Sequence, residues 1–164
     1  IEYLCDLGAS ELLMPSFLFK AEFNKYDFSI NSLLKLSETF QTSLEATAIK
    51  MTNQNSNKYA MIIWENKHKP AESHKIVAQT LPGFEDCKPK PKLRIQTGFG
   101  FDNETYIPKH KSLEEDQGLI QKSFDKQKKT SGKESINTGN NILNCNVFNM
   151  PYSSDKVLTL LELI

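Results

Sequence analysis

The sequence predicts an α+β protein: helices through about residue 56, then a small, mainly antiparallel unit over 57–164. Three observations predict it. Apolar residues recur at helical spacing over the first fifty residues. The polar, turn-rich segment NQNSNK (53–58) marks a boundary. Beyond it come short β-rich apolar runs separated by polar stretches.

Each element has a local reason. Residues 1–13 carry Leu4, Leu7, Ala9, Leu12 and Leu13 as an apolar stripe, and Pro15 ends the helix because the residue before a proline is pushed out of the α region. Ser16 is expected to cap a second helix over 16–24, which carries Phe17, Leu18 and Phe23. Ser29 caps a third that runs to about Phe40 and buries Ile30, Leu33, Leu34 and Leu36. Thr42, with Glu45 three residues on, reads as a capping box for a fourth helix bearing Leu44, Ala48, Ile49 and Met51.

YAMIIW (59–64) reads as a strand, as do 72–80 and 93–97. Residues 112–125 mix charges with Leu113, Leu119, Ile120 and Phe124, which suits an amphipathic helix. The polar stretch 126–141 reads as a loop. Residues 146–150 and 157–163 are the last two strands.

The bulk composition excludes several classes. The chain is 38% hydrophobic and 24% charged, which fits a folded protein rather than a disordered one. Twenty basic residues balance twenty acidic ones, so no global field draws the chain to nucleic acid or an anionic surface. No run of about 18 apolar residues would span a bilayer, and no membrane partner is expected. Cys5, Cys87 and Cys145 are odd in number and scattered, without a CxxC pair. A reducing cytoplasm is the expected compartment.

Chemistry concentrates at the start of the chain. Glu2 and Asp6 are four apart, so a helix places them one turn apart on one face. Such a pair can serve a zinc site, one carboxylate binding the metal and the other orienting a metal-binding histidine. It can equally be a pair of dipole partners on a solvated helix face.

The pattern Glu2-x-x-x-Asp6-x-x-Ala9-x-x-Leu12-Leu13-Met14-Pro15 resembles the third-ligand helix of the ImmA/IrrE metallopeptidases. The likeness continues in TFQTSLEATAIKM, where Phe40, Ser43, Ala46 and Ala48 resemble that family's F-x-V-S-x-x-A helix pair. It covers residues 1 to about 64. The resemblance implies that residues 1–56 are the closing helices of a zincin-like domain. It implies Glu2 as a zinc ligand and Asp6 as the acceptor that orients a histidine ligand. It further implies a protein substrate, such as a helix-turn-helix repressor, with no direct contact to nucleic acid. Residues 57–164 would be a recognition or sensing domain.

One departure is complete: the chain has no HExxH. Its histidines, His68, His74 and His110, are not paired at i, i+4 and read as loop or edge-strand residues. The expectation is therefore the C-terminal part of a longer zinc peptidase. This part alone should bind no zinc and be inactive, since a catalytic site takes three protein ligands. The competing expectation is a non-catalytic binding or sensing module. A DNA-binding regulator is disfavoured by the zero net charge and the lack of a helix-turn-helix pattern.

The remaining motifs have plain readings. Cys5 reads as a small buried helix residue. TGFGF (97–101) reads as a strand end or bulge, and SGK (131–133) lacks the flanking residues of a phosphate loop. KPKPKLR (88–94) reads as an extended solvated linker. Trp64 reads as a core residue, and Phe99, Phe101 and Tyr106 as a cover for one sheet face.

Overall fold

The computed structural model describes residues 2–72, 90–101, 107–113, 118–137 and 142–164, with the side chains of Glu2, Tyr3, Leu4 and Asp6 outside that description. Among the described residues there are five α-helices and five strands. The helices are α1 (Glu2–Leu13), α2 (Ser16–Phe23), α3 (Ile30–Phe40), α4 (Leu44–Thr52) and α5 (Gly118–Lys126). The strands are β1 (Tyr59–Lys67), β2 (Lys92–Gly100), β3 (Thr130–Asn137), β4 (Ile142–Ser153) and β5 (Lys156–Leu163). They form one sheet in the order β2-β1-β5-β4-β3, with every neighbouring pair antiparallel. The α+β class follows directly.

Both faces of the sheet are covered, which is why β1 and β5 read as nearly unbroken apolar runs. Met61, Ile63, Leu158 and Leu160 join Phe19, Phe28, Leu33, Leu36 and Met51 in one core cluster. Ala60, Ile62, Trp64, Val157 and Leu161 join Ile120 of α5 in a second. The helices after Pro15 and the sheet thus share a hydrophobic core across the 53–58 connection.

Two caps differ from expectation. Ser29 does cap α3, accepting from the Ser32 N–H at 3.2 Å. The cap of α4, however, is Ser43, which accepts from the Ala46 N–H at 3.1 Å. Gln41 ends α3 in the left-handed region (φ 52°), and the Thr42 N–H then closes on the Ser37 carbonyl. That turn carries Thr42 past the cap position, and its hydroxyl meets Thr47 instead, at 2.8 Å. Nor does Ser16 cap α2. It is the first helical residue, and its own N–H is capped by the Glu11 carboxylate at 2.6 Å.

The polar stretch expected as a loop contains β3, an edge strand. Ile136 is its one fully buried side chain, and the close approach of Leu119 at Gly132 leaves no room for a bulky residue under α5. Residues 112 and 113, expected in helix α5 (described over Gly118–Lys126), are not helical: Ser112 bridges to Arg94 and Leu113 donates to the Leu93 carbonyl along the edge of β2. Pro70–Glu72 is a short 3-10 turn. The rest of the strand expected over 72–80, with His74, lies outside the described residues. So do Cys87 and Tyr106.

The irregularity between β1 and β2 falls opposite Ile63 and Trp64, where Thr97 and Ile95 are the successive partners. It precedes TGFGF, which supplies the strand's end. No described helix is long and apolar enough to cross a membrane.

Candidate functional site

Helix α1 carries both candidate site residues, Glu2 and Asp6, in one uninterrupted helix that ends at Leu13. At 3.6 residues per turn, positions 2, 6, 9 and 13 line one stripe, and position 11 lies about half a turn away. Among the described side chains of α1, all but the half-buried Ser10 are exposed. Leu7 is 53% exposed, Leu12 85% and Leu13 60%, and Phe17 and Leu18 extend this apolar surface onto α2. Cys5 is exposed too, which corrects its reading as a buried residue. None of the described side chains of α1 is buried; the buried residue is Met14, just past its end.

The polar attachment of α1 is made by Glu11, on the side opposite the Glu2 position. Its Oε1 accepts from the Ser16 N–H at 2.6 Å, and its Oε2 accepts from the Ser16 Oγ–H at 2.8 Å. Lys50 of α4 donates to the same Oε2 at 2.7 Å and to Ser16 Oγ at 2.9 Å. The Lys50 side chain is only 11% exposed, whereas that of Glu11 is 49% exposed. A nearly buried ammonium requires a partner, and Glu11 supplies the charge. Sequence reading missed this cluster; its one signal was a single lysine inside the apolar stretch AIKM.

The hydrogen bond from Lys50, then those from Ser16, hold the Glu11 carboxyl down at about 2, against an ordinary 4.5. Among the described residues Lys50 is the charged group that meets it. The sign follows: a depressed carboxyl stabilises the attachment above about pH 4.5, and that contribution disappears as pH falls toward 2. An NMR titration of the Glu11 side-chain carboxyl carbon should find its midpoint near 2. A midpoint near the ordinary value would mean that the cluster does not form in solution.

The other candidates stay apart. Among the described residues, no three His, Cys, Asp or Glu side chains converge as a metal site would require. His110 is exposed, with φ 67°. His68 is half-buried rather than exposed, and its Nδ1 is enclosed without a hydrogen-bond partner among the described residues. Burial pushes the Cys145 thiol up to about 12, so it is not a nucleophile. Lys90 and Lys92 are exposed, but Lys92, Leu93 and Arg94 belong to β2 and Leu93 and Arg94 are buried, which corrects the linker reading of 88–94 over its last three residues. Phe101 is buried, and Phe99 is 39% exposed.

Neither models of known protein families nor curated proteins give a match to this chain.

Proposed function

We propose that the chain is the C-terminal part of a zinc-dependent metallopeptidase similar to the ImmA/IrrE family, acting on a protein substrate such as a helix-turn-helix repressor. The observation that carries this reading is α1. Its residue pattern resembles that of the third-ligand helix, and it is a continuous helix over Glu2–Leu13, in which helical spacing puts position 11, the residue that meets Lys50, about half a turn from positions 2 and 6. Its exposed leucines suit a helix that packs on further protein.

In this reading Glu2 binds zinc and Asp6 fixes the tautomer of a histidine ligand. Two histidine ligands and the general base belong to an HExxH helix that this sequence does not contain. When bound, zinc polarises the scissile carbonyl and activates water. The residues of this chain do not fit a complete zinc site by themselves, since they supply one ligand of three. The sheet unit with α5 would be the recognition or sensing part.

The test needs a longer polypeptide that includes an HExxH helix. There Glu2→Ala should abolish zinc retention, and Asp6→Ala should weaken it about 10–100-fold. Unchanged zinc content in the Glu2 variant would sink the reading. A second reading, a non-catalytic binding or sensing module, is favoured by the shared core: α2, α3 and α4 all support the sheet.

A further inference from the structure

Between the α2–α3 connection and the sheet lies an open cavity of about 540 Å³, a volume usual for a small-molecule site. Its walls are aromatic. Phe23, Tyr26 and Phe28 come from the helical side, Tyr59 from the start of β1 and Phe148 from β4. The rings pack on one another: Phe28 stacks on Tyr59 with centroids 4.0 Å apart. Phe23 meets Tyr59 edge-on at 6.3 Å, and Phe148 meets Phe28 edge-on at 6.2 Å. None of these residues belongs to α1.

The charges favour one sign. Among the described lining residues Asp27 and Glu162 are acidic, against Lys58. Tyr59 and Glu162 are direct partners across β1 and β5, so the ring and the carboxylate share one sheet face. Asn146 Nδ2 donates to Glu162 Oε2 at 3.0 Å and orients that carboxylate. Lys58 Nζ pairs with Glu162 Oε1 at 2.8 Å and stands 5.4 Å from the centroid of the Tyr59 ring. An ammonium of the protein itself thus takes the position that suits a cation, over an electron-rich ring and beside a carboxylate. The Lys58 side chain is 46% exposed, and a pair with one such partner is worth little, so Lys58 can leave. Glu162, with its side chain only 20% exposed, then needs another cation.

We propose that this cavity binds an organic cation: an alkylated ammonium group that displaces the Lys58 ammonium, lies against Tyr59 and pairs with Glu162. Alkyl groups favour such a ligand over a bare ammonium, because they suit the aromatic walls and give up less hydration on entry. Asp27 is exposed and adds a second negative charge on the approach.

NMR titration of the whole chain with choline tests this, beside neohexanol, the neutral isostere with carbon in place of nitrogen. Choline should bind with a Kd of about 1 mM or below, and neohexanol about 10-fold or more weakly. Tyr59→Leu should weaken choline about 10-fold. Lys58→Met changes an exposed residue, so the fold is kept; it removes the internal competitor and should tighten choline about 3-fold. The amide of Nε-trimethyl-lysine, titrated in parallel, separates two sources of the same chemistry. Tighter binding of choline assigns the cavity to a free small molecule, and tighter binding of the lysine derivative assigns it to a modified protein side chain.

Equal binding of choline and neohexanol overturns the proposal, because the cavity would then select an apolar shape and not a charge. So does a failure of both ammonium probes to bind. Binding that does not tighten in Lys58→Met also overturns it, since Lys58 would then not be the group displaced.

Discussion

Trp64→Ala is expected to destabilise the protein by about 3–5 kcal/mol, the usual cost of emptying a large aromatic site in a core. Trp64 is 2% exposed and stands on β1 among Ile62, Val157 and Ile120. It also heads a buried chain of hydrogen bonds. The indole Nε1–H donates to Thr159 Oγ1 at 3.1 Å, and the Thr159 hydroxyl donates to Asn149 Oδ1 at 2.7 Å. Asn149 Nδ2 donates to Thr130 Oγ1 at 3.0 Å, and the Thr130 hydroxyl donates to the Leu119 carbonyl at 2.8 Å. Each hydroxyl accepts one bond and gives one, so the chain has a single direction. It crosses four strands and ends on α5.

Thr159 and Asn149 are fully buried, so breaking the chain strands polar groups away from water. Trp64→Phe keeps most of the volume and loses the first bond, and should cost less, about 1–3 kcal/mol. Urea unfolding followed by circular dichroism checks both, because Trp64 is the only tryptophan and its own fluorescence cannot report. Equal costs for the two variants would mean that the bond, not the volume, is what matters.

Gly100→Ala is the second large effect, about 3 kcal/mol or more from backbone strain and overpacking together. Gly100 has φ +93°, a region that side chains avoid. A Cβ there would stand 2.7 Å from the Ala60 Cα and would overlap the Tyr59 carbonyl oxygen. Both obstacles are backbone atoms of β1, so neither can rotate away. The same carbonyl accepts from the Phe101 N–H, at 3.3 Å, so moving it would break the closure of β2 on β1. The melting temperature should fall by about 6 °C or more. Gly8→Ala is the control of opposite sign: a Cβ there meets nothing within 4 Å, and alanine favours the helix. A Gly100→Ala protein as stable as the original would show that β1 and β2 can separate at little cost.

How much of this could be read from the sequence depended on the type of residue. Helices α2, α3 and α4 could be read because their buried positions recur every three or four residues and because Ser29 is a strong cap. β1 and β5 could be read because both sheet faces are covered, so nearly every residue in them is apolar. β3 could not: TSGKESIN has one large apolar residue, and an edge strand under a helix asks for small residues that look like a loop. The caps at Ser43 and Glu11 were missed because each depends on a turn, at Gln41 and at Pro15, that fixes which residue reaches the helix end. The apolar stripe of α1 was plain in the sequence, but its exposure was not, because periodicity says which residues share a face and not what covers it. Glu2 and Asp6 were found as an i, i+4 pair; Lys50 was missed because its role lies in a contact with Glu11, 39 residues away.

The claim at the centre of this account is that α1 completes a zinc site begun elsewhere in the polypeptide. Sequencing the coding DNA on the 5′ side of the Ile1 codon tests it most directly. The account predicts an in-frame HExxH some tens of codons before Glu2. An open frame there whose helix lacks both histidines would contradict it, and α1 would then be an ordinary surface helix on a binding module.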